Sequence, residues 1–309
     1  MRCAVIDLGT NTVRLLVAEV LARGVWEPVH AEQRVTRLGE GAHLTSELAE
    51  APMARTSAAV AEYVARARAA GAARVRIVAT SAVREARNGR AFAERVARET
   101  GERVDVISGD EEARLGLRGL GRGLSLGVGP MIAFDIGGGS TEYVLAREST
   151  VIAAVSLRLG VVPLAERFPF ADRVDAGEYA RLLAEVRSRL ATEVPPDIGD
   201  ARIEELVGTA GTVTTLAGLD LGLDRYDGAR VHGHRLTRAA VDRLLAMLGA
   251  LSVAERGALP CLEPGRADLI VPGTAIVVAT MERLRVDSLV VSDYGVREGI
   301  MDLVSETSP

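Results

Sequence analysis

Two stretches of this chain repeat one another. AVIDLGTNTVRLLVAEV, starting at Ala4, matches IAFDIGGGSTEYVLARE, starting at Ile132. Asp7 then falls on Asp135, Gly9 on Gly137, Thr12 on Ser140 and Arg14 on Glu142, an offset of 128 residues. Each copy is an apolar run ending in an aspartate, a turn containing glycine, and a second apolar run, which reads as a β-hairpin. A repeat whose period is about one domain predicts a duplicated fold. Two lobes that each open on strand, Asp–Gly turn and strand would face their turns across a cleft by pseudo-symmetry. The 309-residue length suits that division, at roughly 100–200 residues per domain.

The rest of the pattern predicts an α/β protein. Helical spacing over 53–70 stops at Gly71 and is followed by a strand at 74–79, a helix at about 88–99, a strand at 103–107 and a helix from Asp110. Strands alternating with helices are the mark of that class. After the second hairpin come a helix over 176–192, a strand over 203–207, a helix after GTAGT, a helix over 238–250, a Pro-interrupted helix over 266–284, a strand over 288–292 and a last helix over 295–304. The expected lobes are 1–122 and 128–309, with the last helix (about 295–309) able to pack back on the first lobe. Glycine-rich GLGRGLSLGVG at 119–129 is the expected hinge.

Composition removes several classes of function. Apolar residues are 48% and charged residues 26%, so the chain is globular rather than disordered. No apolar run reaches the ~18 residues of a membrane span, and the N-terminus begins directly with a strand pattern rather than a signal peptide. Cys3 and Cys261 stand far apart, which excludes a disulfide scaffold and a structural zinc site and leads us to expect a reducing cytoplasm. A net charge of −5 argues against nucleic acid. All 37 basic residues are arginine, a compositional habit with one firm consequence: no step can use lysine, and the P-loop GK[ST] signature is absent.

The turns carry the chemistry. In DIGGGSTE (135–142), Gly137, Gly138 and Gly139 let the backbone approach an anion because no Cβ intrudes and positive φ is open to glycine. Successive N–H groups there can form a nest for phosphate oxygens, to which Ser140 and Thr141 add hydroxyls. Asp135 at the strand end and Glu142 across the hairpin are candidate ligands for Mg²⁺. DLGTNT (7–12) reads alone as an Asn-containing hairpin turn and, as repeat partner, as a second phosphate loop with Thr10, Asn11 and Thr12 as donors. GTAGT (208–212) opens a helix after an apolar strand. Gly208, Thr209 and Gly211 then offer an anion site at the helix N-terminus, unless Thr209 or Thr212 simply caps the helix. In ISGDEEARL (107–115), Glu111 and Glu112 lie in a first helical turn, where acids are favoured by the macrodipole without any function, but where a carboxylate could also act as general base. Arg84, Arg87 and Arg90 recur every three residues along one side of a helical turn. Arg84, nearest the strand end, is the candidate for neutralising phosphate. VHGH (231–234) lacks an identifiable third metal ligand. SDYGVREG (292–299) reads as strand, turn and helix start.

Taken in order, AVIDLGTNTVRLL, ATSAVREA, ISGDEEARL, FDIGGGSTE, VGTAGT and SDYGVREG resemble the exopolyphosphatase/guanosine pentaphosphate phosphohydrolase family over nearly the whole chain. The resemblance implies the duplicated actin-like (ribonuclease H-like) fold shared with sugar kinases and heat-shock ATPases. It implies Mg²⁺-dependent (or Mn²⁺-dependent) release of orthophosphate from polyphosphate ends, or removal of a phosphate from guanosine pentaphosphate. By position, Glu112 resembles the family's catalytic base, and Asp135 and Glu142 its metal-linked carboxylates. Arg84, Asn11, Thr12, the 137–140 turn and the 208–211 turn resemble its phosphate binders. Many members have DLGSNS where this chain has DLGTNT, which keeps the hydroxyls. Longer members add a helical region with an HD-type module, so this chain resembles the short form. A homodimer is the expected association by family habit, with no nucleic acid and no membrane as partner. The rival expectations are an acetate- or sugar-type kinase of the same superfamily and a non-catalytic sensor of guanosine tetraphosphate.

Overall fold

The computed structural model describes residues 1–124, 127–148, 150–263 and 265–307. The chain forms two compact units, Met1–Arg122 together with the segment from Gly295 onward, and Gly123–Tyr294. The second unit ends at Tyr294, and the last helix belongs to the first. Of the glycine-rich stretch 119–129, the first two residues end a helix, and Ser125 and Leu126 lie outside the described residues.

The first unit begins β1 (Arg2–Leu8), β2 (Thr12–Ala22), β3 (Val25–Val35), α1 (Ala42–Thr45), α2 (Glu50–Ala69), β4 (Arg74–Ala79), α3 (Ser81–Glu85), α4 (Gly89–Thr100), β5 (Val104–Val106) and α5 (Gly109–Leu120). The second comprises β6 (Pro130–Ile136), β7 (Thr141–Arg147), β8 (Thr150–Leu157), α6 (Val161–Arg167), α7 (Ala176–Glu193), α8 (Pro196–Gly199), β9 (Glu205–Thr209), α9 (Ala210–Asp220), α10 (Gly228–Val231), β10 (Arg235–Thr237), α11 (Arg238–Gly249), α12 (Val253–Gly257), α13 (Ile270–Leu284) and β11 (Ser288–Val291). The chain then returns to the first unit as α14 (Val296–Glu306).

The sheets run β3-β2-β1-β4-β5 and β8-β7-β6-β9-β11-β10. In each, the first three strands are antiparallel and the next is parallel to the third, so the second sheet repeats the first and adds β10 at its far edge. The duplication extends to register. Asp7 pairs with Arg14, and Asp135 with Glu142. Gly9 N–H donates to Thr12 O at 3.1 Å, and Gly137 N–H to Ser140 O at 2.9 Å.

Central strands buried on both faces lose polar alternation, which is why β1 and β6 read as unbroken apolar runs. Ala4, Ile6 and Leu8 of β1 face one core with Val60 and Tyr63 of α2 and Phe92 and Val96 of α4. Cys3 and Val5 face the other, with Leu115 of α5 and Val296, Ile300 and Met301 of α14. Each Ile or Leu so buried contributes about 1.5–3 kcal/mol. The two helices behind that second face touch through glycine: a Cβ on Gly299 would lie 2.0 Å from Leu115 O, and one on Gly119 would lie 1.9 Å from Gly295 O. The second unit is built round α13, buried at every position from Ile270 to Met281, as a helix apolar on all sides must be.

Three expectations need correction. Helix 266–284 is not interrupted: α13 starts at Ile270, and Pro272 sits in its first turn, where the missing N–H has no intrahelical partner to lose. Arg84, Arg87 and Arg90 do not share a helical face, because the helix breaks between α3 and α4 and only Arg84 and Arg90 are helical. Each hairpin also gains a third strand, β3 and β8, that its apolar pattern did not announce. No described helix is long and apolar enough to cross a membrane.

Candidate active site

In the first unit the DLGTNT turn is held from behind. Asn11 O accepts from the N–H groups of Thr36 and Arg37, both at 2.9 Å, and Thr10 O accepts from Gly39 N–H at 2.9 Å. Thr10, Asn11 and Thr12 are all buried. Asn11 Nδ2 donates to Thr12 Oγ1 at 3.3 Å, while Asn11 Oδ1 is buried without a hydrogen-bond partner. Buried polar atoms are rarely left so, and this one sits in the turn assigned to phosphate. Asp7, at the end of β1, is pushed up from the ordinary carboxylate range by burial, against the opposing charges of Arg14 and Arg297.

Glu112 and Arg84 meet. Ile107 N–H bonds to Ala79 O at 3.1 Å, which ties the start of α5 to the end of β4. Ser108 caps α5 by accepting from Glu111 N–H at 3.1 Å, which places Glu112 in the first turn. Arg84, in the short helix after β4, then donates through Nη1 to Ile107 O at 3.1 Å and to Glu112 Oε2 at 2.8 Å. Its Nε donates to Glu85 Oε1 at 3.1 Å. The pair is largely enclosed, with side-chain exposures of 18% and 11%. Two residues read separately, as phosphate binder and as base, thus form one charged unit.

In the second unit the DIGGGSTE turn repeats the same design. Gly137 O and Gly138 O accept from Val161 N–H (3.2 Å) and Val162 N–H (2.9 Å), at the start of α6. Among the described residues the N–H groups of Gly138, Gly139 and Ser140 bond to no protein carbonyl, which suits an anion nest. None of Gly137, Gly138 and Gly139 uses positive φ. The glycine that closeness requires is the bracing one: a Cβ on Gly160 would lie 2.2 Å from Gly138 O and 2.4 Å from Gly139 Cα. The bracing segments share a signal that motif reading passed over, RLG at 37–39 and again at 158–160, each directly behind its third strand.

Asp135 lies directly across the antiparallel pair from Glu142, and beside Thr209 of the parallel neighbour. Opposed residues hold their Cβ atoms roughly 4.5–5.5 Å apart. Glu142 is 4% exposed and accepts from Ser156 Oγ at 2.7 Å. Among the described residues no three His, Cys, Asp or Glu converge as a metal cage. Two adjacent carboxylates beside a turn whose N–H groups meet no protein carbonyl among the described residues nevertheless fit Mg²⁺, which keeps several waters and takes one or two carboxylates together with phosphate oxygens.

The third turn is mixed. Gly208 is glycine for packing, since a Cβ there would lie 2.8 Å from the Phe134 ring. Thr209 does not cap α9; its hydroxyl donates to Tyr294 O at 2.9 Å. Ala210 is held at φ 69, a left-handed conformation costly for any residue but glycine. Gly211 leaves room for the guanidinium of Arg266, whose Nη1 would sit 1.6 Å from a Cβ, a neighbour that no spacing in the sequence pointed to. The histidines of VHGH part company: His232 Nδ1 accepts from Asp293 N–H at 3.2 Å, and His234 Nε2 lies 2.9 Å from Asp220 Oδ2.

The profile of the Ppx/GppA phosphatase family matches residues 16–306. Exopolyphosphatase 2 of Mycobacterium tuberculosis is 38% identical, with 97% of each chain covered. The guanosine-5'-triphosphate,3'-diphosphate pyrophosphatase of Photobacterium profundum is 28% identical over 96% of this chain and 58% of that protein. The crystal structure of the Aquifex aeolicus Ppx/GppA family member superposes with a TM-score of 0.81 at 32% identity, covering 100% of this chain and 99% of that one.

Proposed function

The chain belongs to the Ppx/GppA phosphatase family, and we propose that it is an exopolyphosphatase that cleaves the terminal phosphoanhydride bond of inorganic polyphosphate and releases orthophosphate. The observation that carries this reading is the second hairpin, where two carboxylates share a rung beside a turn whose Gly138, Gly139 and Ser140 N–H groups bond to no protein carbonyl among the described residues. That arrangement suits a polyanion with its counter-cation. Polymer ranks ahead of guanosine pentaphosphate because the match to exopolyphosphatase 2 spans 97% of both chains, against 58% of the Photobacterium pyrophosphatase.

In this reading Asp135 and Glu142 hold Mg²⁺ or Mn²⁺, which when bound supplies positive charge to phosphate oxygens. The N–H groups of Gly138, Gly139 and Ser140 and those opening α9 donate to the same polyanion. Such fixed donors, which need no reorganisation as charge shifts, supply much of the catalysis in phosphoryl transfer. Glu112 orients the attacking water and takes its proton. Arg84 holds the Glu112 carboxylate in place, so its guanidinium serves the base as well as any phosphate within reach.

Orthophosphate release measured on short polyphosphate, long polyphosphate and guanosine pentaphosphate, with and without Mg²⁺, tests this reading. The expected result is Mg²⁺-dependent release from polyphosphate, without nucleotide, at a higher kcat/KM than from the pentaphosphate. Release from guanosine pentaphosphate alone would overturn the choice of substrate.

A further inference from the structure

Three neighbouring strands set a row of side chains across each sheet. In the second unit the row reads Asp135, Glu142, Ser156, each directly opposite the next on β6, β7 and β8. The corresponding row of the first unit, on β1, β2 and β3, reads Asp7, Arg14, Gln33. The backbones agree and the chemistry does not. In the first unit the aspartate stands opposite an arginine of the neighbouring strand. In the second, two carboxylates face one another and the row holds no basic residue. The serine at the end of the row spends its only proton on that arrangement, Ser156 Oγ donating to Glu142 Oε1 at 2.7 Å. A carboxylate with one oxygen anchored by a hydroxyl loses rotation about its last bond and presents its lone pairs in a fixed direction. Outer partners of this kind tune the affinity of metal-binding carboxylates by about 10–100-fold.

We propose that Ser156 is a positioning residue that orients Glu142 for a divalent cation shared with Asp135. The inference rests on the reading above, that Asp135 and Glu142 hold the metal. Ser156 itself touches neither cation nor substrate. It acts through Glu142, and the serine at this point of β8 sets the second row apart from the first, where an arginine stands opposite the aspartate and a glutamine ends the row.

The test is Mn²⁺ titration of the full chain, followed by the EPR signal of free Mn²⁺, for wild type, Ser156→Ala, Ser156→Thr and Glu142→Gln, with thermal midpoints recorded without metal. Ser156→Ala is expected to weaken Mn²⁺ binding about 10–100-fold, and Ser156→Thr, which keeps the hydroxyl, to restore it to within about 3-fold of wild type. The metal-free midpoint is expected to fall in Ser156→Ala by no more than the loss of one hydrogen bond and to stay near wild type in Ser156→Thr. A serine that merely packs in its strand would shift the midpoint and leave the metal alone. Wild-type Mn²⁺ affinity in Ser156→Ala, alongside lost affinity in Glu142→Gln, overturns the positioning role and leaves the metal site standing. Wild-type affinity in Glu142→Gln removes the metal site itself, and the role of Ser156 with it.

Discussion

At the level of single residues, the contact between Arg84 and Glu112 decides how each should respond to substitution. Glu112→Gln keeps the shape and most hydrogen bonds but cannot accept a proton, so kcat for orthophosphate release should fall about 10²–10⁴-fold. With Glu112 as the proposed base, Arg84→Met should lower kcat about 10–100-fold with a smaller change in KM, because it frees the carboxylate that would act in the transition state. A residue that only gripped substrate would raise KM alone. Steady-state kinetics on the two variants separates these outcomes. Asp7 gives a prediction in pH. Its native pKa lies above the unfolded value because of burial, so the native state holds a proton that the unfolded chain releases. That contribution to stability is complete below the unfolded value, near pH 3.9, and is lost as pH rises through the native value. Asp7→Asn mimics the protonated form. Its thermal midpoint should therefore gain on wild type as pH is raised from about 4 to 8, and a difference independent of pH would contradict the assignment.

Among elements, the α5–α14 contact is the most exacting. Gly299 faces Leu115 O so closely that an added methyl must push the two helices apart, and overpacking of this kind costs about 1–3 kcal/mol. Gly299→Ala should lose that much in chemical denaturation. Such a contact was not legible in the sequence, which shows only a glycine near a helix start. What was legible followed local rules. The hairpins of both units, the aspartate at each strand end and the helix from Asp110 could be read because apolar runs and turn residues act within a few residues of themselves. The third strands could not. β3 carries Glu27, Pro28, His30, Glu32 and Arg34 because it is a sheet edge facing water, and β8 is only half-buried along most of its length. With β8 went Ser156, which gains meaning only from the strand beside it. The pairing of Arg84 with Glu112 was hidden for a related reason: 28 residues separate them, and the parallel pairing of β4 with β5 brings them together.

For the molecule as a whole, the family and its duplicated α/β plan were open to reading because the motifs occur twice and in order. The connection of the units was harder, since nothing local in Val296–Glu306 says which sheet it covers. The second unit is one uninterrupted segment, Gly123–Tyr294, set between α5 and α14 of the first. The first unit needs α14 to cover Val5, Leu16 and Val78. A chain stopped after Tyr294 should thus keep a cooperatively melting second unit while the first binds a hydrophobic dye and is cut by protease. Equal protection of both units would refute this dependence.

This topology bears on how the protein is made. During synthesis the N-terminal sheet emerges first but cannot close its rear face until the last helix of that unit leaves the ribosome, by which time all of Gly123–Tyr294 has been exposed and is free to fold. Of the two units, the one whose strands are translated earlier is thus completed later. For most of translation its apolar strands wait uncovered, and a premature stop anywhere before α14 yields a chain that a cell's quality control can recognise by its N-terminal half.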